Sequence, residues 1–324
     1  MAGTFAHITL VDSICQNADA LDSITALTPS MKRALMKFLN FCEFGAISPD
    51  APYLELLSGD AACWANVMHY WKTADFIRRG VSYVYAMDYR TTEAQKCIAW
   101  LFGYSAHIVT DFTVHPVINL RVGPYEQNKL QHRLCELSQD VYIFNKLGFG
   151  DVSTAEYIRR CGIETCADVA HQGMLDPAIR KLWCHCLGDG FPSKILMKDG
   201  LPAPKALPAP DEWFTHYVSM IDKFAEEGGR FPCLCRQIVE AKGLVFPQLD
   251  EIDQTFIEGL EMPDGNTGSY YQVFELARNN VLQVWDELGK ALDSGITNLL
   301  TLANGDLDTG VAENNQSIFW KNIA

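Results

Sequence analysis

The sequence predicts an all-α protein. Apolar residues recur at helical spacing through most of the chain, proline and glycine punctuate the periodic segments, and runs of alternating β-branched residues are few. Sheet is a minor component at most. With 324 residues, 48% of them apolar, the chain can bury a sizeable core as one large domain or as a domain with an extension.

The elements follow in order. A first helix is expected over residues 7–26. A second opens at Thr28-Pro29, a capping hydroxyl followed by a first-turn proline, and stops near Gly45. Residues 45–52, rich in small residues and proline, read as a loop, and a third helix carries residues 64–89. Thr92 and Gln95 have the spacing of a capping box and open a fourth helix that reaches Pro116. A fifth covers about 124–145, and Ser153 with Glu156 opens a sixth toward His171. Five prolines within 188–210 mark a linker or long surface loop, after which 211–226, 233–242 and 270–302 read as helices. The chain thus divides into a core at 1–187, the proline-rich 188–210, and a helical C-terminal region at 211–324 packed on that core. It contains no internal repeat or low-complexity segment.

The longest apolar runs, such as 97–104, end well before the ~18 residues that a membrane span requires. The N-terminus has no basic region, and Asp12, Gln16, Asn17, Asp19 and Asp22 interrupt the apolar stretch behind it, so a cleaved signal peptide is not expected. A soluble, cytoplasmic protein follows from this reading, with export as an effector open only through a signal-independent route. Eleven cysteines, an odd number without an extracellular spacing pattern, read as reduced thiols. A formal charge of −14 disfavours tight nucleic-acid binding, which draws on Lys and Arg against phosphates.

Histidines and acids carry the chemistry. His107 and Asp111 lie four residues apart on one predicted helix, and His115 follows one turn on, so at ~100° per residue the three share a face. His132 and Glu136 repeat the spacing on the next helix. Upstream stand His69 on a helix, Asp50 in a Ser-Pro-Asp-Ala-Pro loop, and His7 near the chain start. A single His–acid pair at this spacing is commonly an ordinary surface contact. Here five of the chain's eight histidines fall within the first 136 residues on consecutive helices, and Ala106, Ile108, Val109, Phe112 and Val114 flank the central ligands. Imidazole and carboxylate without thiolate is a donor set that zinc takes in hydrolytic sites, and buried His and Asp must be paired or metal-bound.

The order of these motifs resembles the zinc-dependent phospholipase C family, which shares its all-helical fold with zinc-dependent single-strand nucleases and glycosylphosphatidylinositol-cleaving phospholipase D. The resemblance runs through Ala6-His7, Gly45-Ala-Ile-Ser-Pro-Asp50-Ala-Pro-Tyr53, Met68-His69-Tyr70, Gly103 to Pro116 with His107, Asp111 and His115, and His132-Arg-Leu-Cys-Glu136. It implies a zinc-dependent phosphodiesterase with two to three ions, acting as a phospholipase C on glycerophospholipids in transient contact with a membrane surface. A nuclease or other phosphodiesterase on the same metals, and a metal-bound protein without turnover, are the alternatives. By the resemblance, Asp50, His69, His107 and Asp111 hold one ion and His115, His132 and Glu136 a second. Asp111 bridges to a third ion shared with His7 and the N-terminal residue, here Ala2 once the initiator methionine is removed. Asp50 is also the candidate general base.

The chain departs from the choline-cleaving members at Ala51 and Asn66, and its Asp111-to-His115 spacing is closer to the glycosylphosphatidylinositol-cleaving branch. Tyr53, Trp64 and Tyr70 could form a cation cage but read first as core. Cys184-His185-Cys186 and Cys233-Leu234-Cys235 lack the two-residue spacing of a zinc knuckle, and His171 and His216 have no partner at ligand spacing. No Gly-x-Ser-x-Gly elbow or phosphate-binding loop is present.

Overall fold

A computed structural model describes residues 3–55, 58–149, 161–171, 173–188, 203–226 and 247–320. Its described residues form eleven α-helices: α1 Thr4–Cys15, α2 Ala18–Ser23, α3 Pro29–Lys37, α4 Leu39–Ile47, α5 Gly59–Tyr70, α6 Thr73–Tyr85, α7 Thr92–Val122, α8 Lys129–Lys146, α9 Pro177–Leu187, α10 Pro210–Glu226 and α11 Tyr270–Ser294. Two minimal antiparallel hairpins complete the secondary structure. Strand β1 (Leu260–Glu261) pairs with β2 (Thr267–Gly268), and β3 (Gly305–Asp306) pairs with β4 (Val311–Ala312) in the register Gly305 to Ala312. The all-α expectation holds.

Local chemistry divides three of the predicted helices. The first breaks at Gln16–Asn17, where the Asn17 side chain accepts the Ala20 N–H at 3.1 Å and restarts the chain as α2. The second breaks at Phe38, and α4 then continues to Ile47 through part of the stretch expected to be loop. The third begins earlier, capped by Ser58, and is interrupted at Lys72, whose φ of 49° is left-handed. The fourth is longer than expected: α7 starts from Thr91 rather than Thr92 as cap and passes through Pro116 to Val122. Gln95 therefore does not close the expected box, and its amide donates to the Tyr89 carbonyl. A short 3-10 turn, Tyr125–Gln127, precedes α8, and α11 ends before residue 302 because Gly295 turns left-handed behind it. Of the predicted 153–171 helix, the described part holds the 3-10 turn Ile163–Cys166, and 233–242 lies outside the described residues.

Helix α7 is buried on every side from Cys97 to Ile118, the pattern of a helix at the centre of a core. α4 and α11 pack along it, α1 packs on α4, and α8 closes on α1. Trp285 of α11 donates its indole N–H to the Phe102 carbonyl of α7 at 3.0 Å. Two glycines set the α4–α7 crossing. A Cβ on Gly45 would lie 2.2 Å from the Trp100 carbonyl oxygen, and one on Gly103 would lie 1.8 Å from the Cys42 carbonyl oxygen. With no side chain between them the backbones touch, and the Ala46 carbonyl comes within 2.8 Å of His107 Nδ1.

Gly103→Ala should therefore force the two helices apart and lower stability by about 1–3 kcal/mol or more, because backbone cannot yield as a side chain does. Gly59→Ala, where a Cβ meets nothing within 4 Å, is the control. Equal urea midpoints for the two variants would contradict the tight crossing.

Candidate metal centre

The spacing of four along α7 stacks His107, Asp111 and His115 on one face, with none of them more than 2% exposed. Three other elements bring groups to that face: His7 from the second turn of α1, Asp50 from the turn after α4, and His69 from the last turn of α5. Asp111 Oδ1 lies 3.2 Å from His7 Nε2 and 3.4 Å from His115 Nε2, while Oδ2 lies 3.3 Å from His107 Nε2. Asp50 Oδ1 lies 3.0 Å from His69 Nε2 and 3.7 Å from His107 Nε2. The His7 and His107 rings stack with centroids 4.1 Å apart. Among the described residues, two overlapping groups have donor atoms close enough to share an ion, His7 with His107 and Asp111, and Asp50 with His69 and His107.

The far side of each ring reveals the protonation pattern. His69 Nδ1 donates to the Ala65 carbonyl at 2.8 Å and His107 Nδ1 donates to the Ala46 carbonyl at 2.8 Å. A carbonyl only accepts, so Nδ1 of each ring carries a proton, and each ring in its neutral form turns the Nε2 lone pair toward a carboxylate. Lone pair and anion repel unless a second proton or a shared cation lies at Nε2. The Nε2 atoms of His7, His107 and His115 are buried without a hydrogen bond of good geometry. That donor set, imidazole nitrogens and carboxylate oxygens turned toward one another in the core, fits zinc.

Electrostatics agree with this arrangement. Burial works against the charged form of Asp111, but His115, His107 and His7 outweigh it and hold the carboxyl well below its ordinary range. Asp50 is also lowered, since His107 and His69 overcome its burial. His107 is pulled down by burial and raised above the ordinary imidazole value by Asp111 and Asp50 together. His7 ends lowered, because burial and the neighbouring His107 exceed the attraction of Asp111.

The α8 pair is arranged differently. His132 and Glu136 are buried, but His132 Nε2 donates to the Gly123 carbonyl at 2.6 Å and Glu136 accepts from Arg133 Nη1 at 3.0 Å. His115, His132 and Glu136 do not converge into a group of the kind that His7, Asp50, His69, His107 and Asp111 form. Ala2 lies outside the described residues. Tyr53 and Trp64 are buried, as core residues are, with the Tyr53 hydroxyl donating to Asn66 at 2.7 Å. Cys184 and Cys186 are free thiols on α9, Cys233 and Cys235 lie outside the described residues, and His171 is exposed beside Asp168.

Sequence reasoning missed two carboxylates. Asp140 stands one turn beyond Glu136, so continuing the spacing of four along α8 would have found it. It accepts the Ala6 N–H at 2.8 Å and the Phe5 N–H at 3.3 Å, fixing the first turn of α1 and with it His7. Burial pushes its carboxyl up to about 7. Asp308 reaches the centre from the β3–β4 turn, 3.4 Å from His115 Nδ1, with no periodic signal in the sequence to announce it.

The family model for zinc-dependent phospholipase C matches residues 6–191, more than half of the chain. The chain belongs to the zinc-dependent phospholipase C family. Comparison with curated proteins and with solved structures gives no match. The matched segment contains all three histidines and both carboxylates of the two ion-sharing groups, whereas α11 and the β3–β4 hairpin lie beyond it. No described helix is long and apolar enough to cross a membrane.

Asp111 and Asp50 raise His107 above the ordinary imidazole value, so its Nε2 holds a proton more readily, and zinc must displace that proton. Zinc binding near neutral pH should release protons, and affinity should fall as pH falls. Calorimetry in buffers of different ionisation enthalpy checks this; a binding enthalpy independent of buffer would contradict it.

Proposed function

We propose that the chain is a phospholipase C that hydrolyses glycerophospholipids to diacylglycerol and a phosphorylated headgroup, using two to three zinc ions. The observation that carries the reading is Asp111: a fully buried carboxylate with three imidazole nitrogens at 3.2–3.4 Å, in a chain of the zinc-dependent phospholipase C family. In this reading Asp50, His69, His107 and Asp111 hold one ion. Asp111 would also serve a second ion with His7 and Ala2, and His115, His132 and Glu136 would hold a further one. Filling that last position sets an ion against the Arg133 guanidinium for the Glu136 carboxylate.

Bound zinc supplies an acidified water and polarises the phosphodiester. The protein's own groups do the rest. Asp50 is the carboxylate of the two ion-sharing groups with the most exposed side chain, 12% against 0% for Asp111, so it meets substrate and solvent first. That exposure supports its role as the general base. His69 and His107, fixed by the carbonyls behind them, hold their donor nitrogens in place without reorganisation. Tyr53, with its ring centroid 5.4 Å from that of His69, walls the same side. The formal charge of −14 favours a lipid over a polynucleotide as the phosphodiester that approaches.

Asp111→Asn keeps the shape and removes the charge on which the ions depend. It should lower both zinc content and turnover, the latter by about 1,000-fold or more. Products are measured from mixed phospholipid vesicles and, in parallel, from single-stranded DNA, with His171→Ala as control. Near-normal lipid hydrolysis by Asp111→Asn with full zinc content would refute the cluster, and release of nucleotides in place of diacylglycerol would refute the substrate class.

A further inference from the structure

The β3–β4 hairpin, far along the chain and outside the family segment, reaches the metal centre through a set of contacts that hold one carboxylate in place. Leu307 N–H donates to the His69 carbonyl at 3.0 Å, which ties the hairpin to the end of α5. Asn119 of α7 donates its side-chain amide to the Asp308 carbonyl. Asp308 N–H is bound by the Asp306 carboxylate at 2.9 Å, and Gly310, with a φ of +67°, sits so close to α7 that a Cβ would lie 2.4 Å from Pro116 Cγ and 2.8 Å from the Phe112 carbonyl oxygen. Pro116 has no N–H, so α7 leaves that carbonyl without its usual partner four residues on, and the glycine turn fits over the gap. Trp320 pins the following segment by donating its indole N–H to the Thr113 carbonyl at 2.9 Å.

The result of this anchoring is the position of the Asp308 side chain. Oδ2 accepts the Tyr70 hydroxyl at 2.5 Å, which fixes the carboxylate plane, and Oδ1 faces His115 Nδ1 at 3.4 Å. On the opposite edge of the same ring, Nε2 faces Asp111. His69 and His107 each have a backbone carbonyl behind Nδ1, whereas His115 has this carboxylate. A ligating imidazole is generally oriented by an acceptor on its second nitrogen, and a carboxylate there also raises the basicity of the ligating nitrogen.

We propose that Asp308 is the positioning residue for His115: it accepts the Nδ1 proton and so keeps the Nε2 lone pair turned inward, toward the ion that His115 would hold. The C-terminal hairpin, outside the family segment, thereby supports a histidine that lies within it. This inference rests on the zinc-centre reading, and the test separates the two.

Zinc affinity is measured by competition with a chromophoric chelator, and the coordination of each variant is read from the visible spectrum of its cobalt-substituted form. Asp308→Ala should weaken the affected ion about 10–100-fold and change the cobalt spectrum. Asp308→Asn, which retains an acceptor oxygen, should recover part of both. The melting temperature of the metal-free chain should change little, because the Leu307 N–H bond to the His69 carbonyl and the Asn119 side-chain bond to the main-chain carbonyl of residue 308 remain. Affinity and spectrum unchanged in Asp308→Ala, against a wild type that binds zinc, would overturn the inference alone. A wild type that takes up no zinc would overturn the metal centre and the inference with it. Should Asp308→Ala not fold, nitrogen-15 spectra of zinc-loaded wild type decide: His115 protonated at Nδ1 supports the proposal, and protonation at Nε2 overturns it.

Discussion

A charge in the middle of the core organises this protein. Asp111 lies on a helix that is buried all round, with no accessible surface of its own. An isolated carboxylate there would be several kcal/mol too costly, so the fold must bring positive character to it. It does so from three directions, with His7 from the chain start, His107 one turn before and His115 one turn after. The same grouping leaves imidazole lone pairs and carboxylate oxygens turned toward one another, a situation that protons relieve only in part and that divalent cations relieve fully.

Helix packing supplies the precision that ligands require. The Gly45–Gly103 contact brings α4 and α7 to backbone distance, which puts the Ala46 carbonyl behind His107 and the Asp50 turn beside it. Asp140 performs the corresponding task for α1, binding the backbone amides of Phe5 and Ala6 so that His7 enters the core at a fixed angle. The Gly45–Gly103 contact and Asp140 thus act through the backbone, each setting where a ligand lies. The C-terminal hairpin extends this support to the end of α7 through Leu307, Asp308 and Gly310.

Much of this was legible in the sequence, and the limits have physical causes. His107, Asp111 and His115 were found because a helix converts a spacing of four into a shared face, and His7, Asp50 and His69 because their motifs follow a known order. Helix ends were less legible. The breaks at Asn17, Phe38 and Lys72 depend on a side-chain cap or a local backbone angle that apolar periodicity does not register. Pro116 read as a terminus, but α7 continues past it because the surrounding core, including Gly310, accommodates the lost hydrogen bond. Asp308 was invisible for a different reason: its partner Tyr70 lies 238 residues away, and such a contact exists only once the chain has folded. The α8 pair shows the reverse, since spacing places His132 and Glu136 on one face without disclosing that Arg133 and the Gly123 carbonyl engage them.

The central claim is that nitrogen and oxygen donors gathered around Asp111, and none of the chain's eleven cysteines, hold zinc. X-ray absorption at the zinc edge of the purified protein tests this directly. The account predicts a first shell of nitrogen and oxygen at about 2.0–2.2 Å with the outer scattering of several imidazoles. A sulfur shell at about 2.3 Å, or protein without zinc, would contradict it.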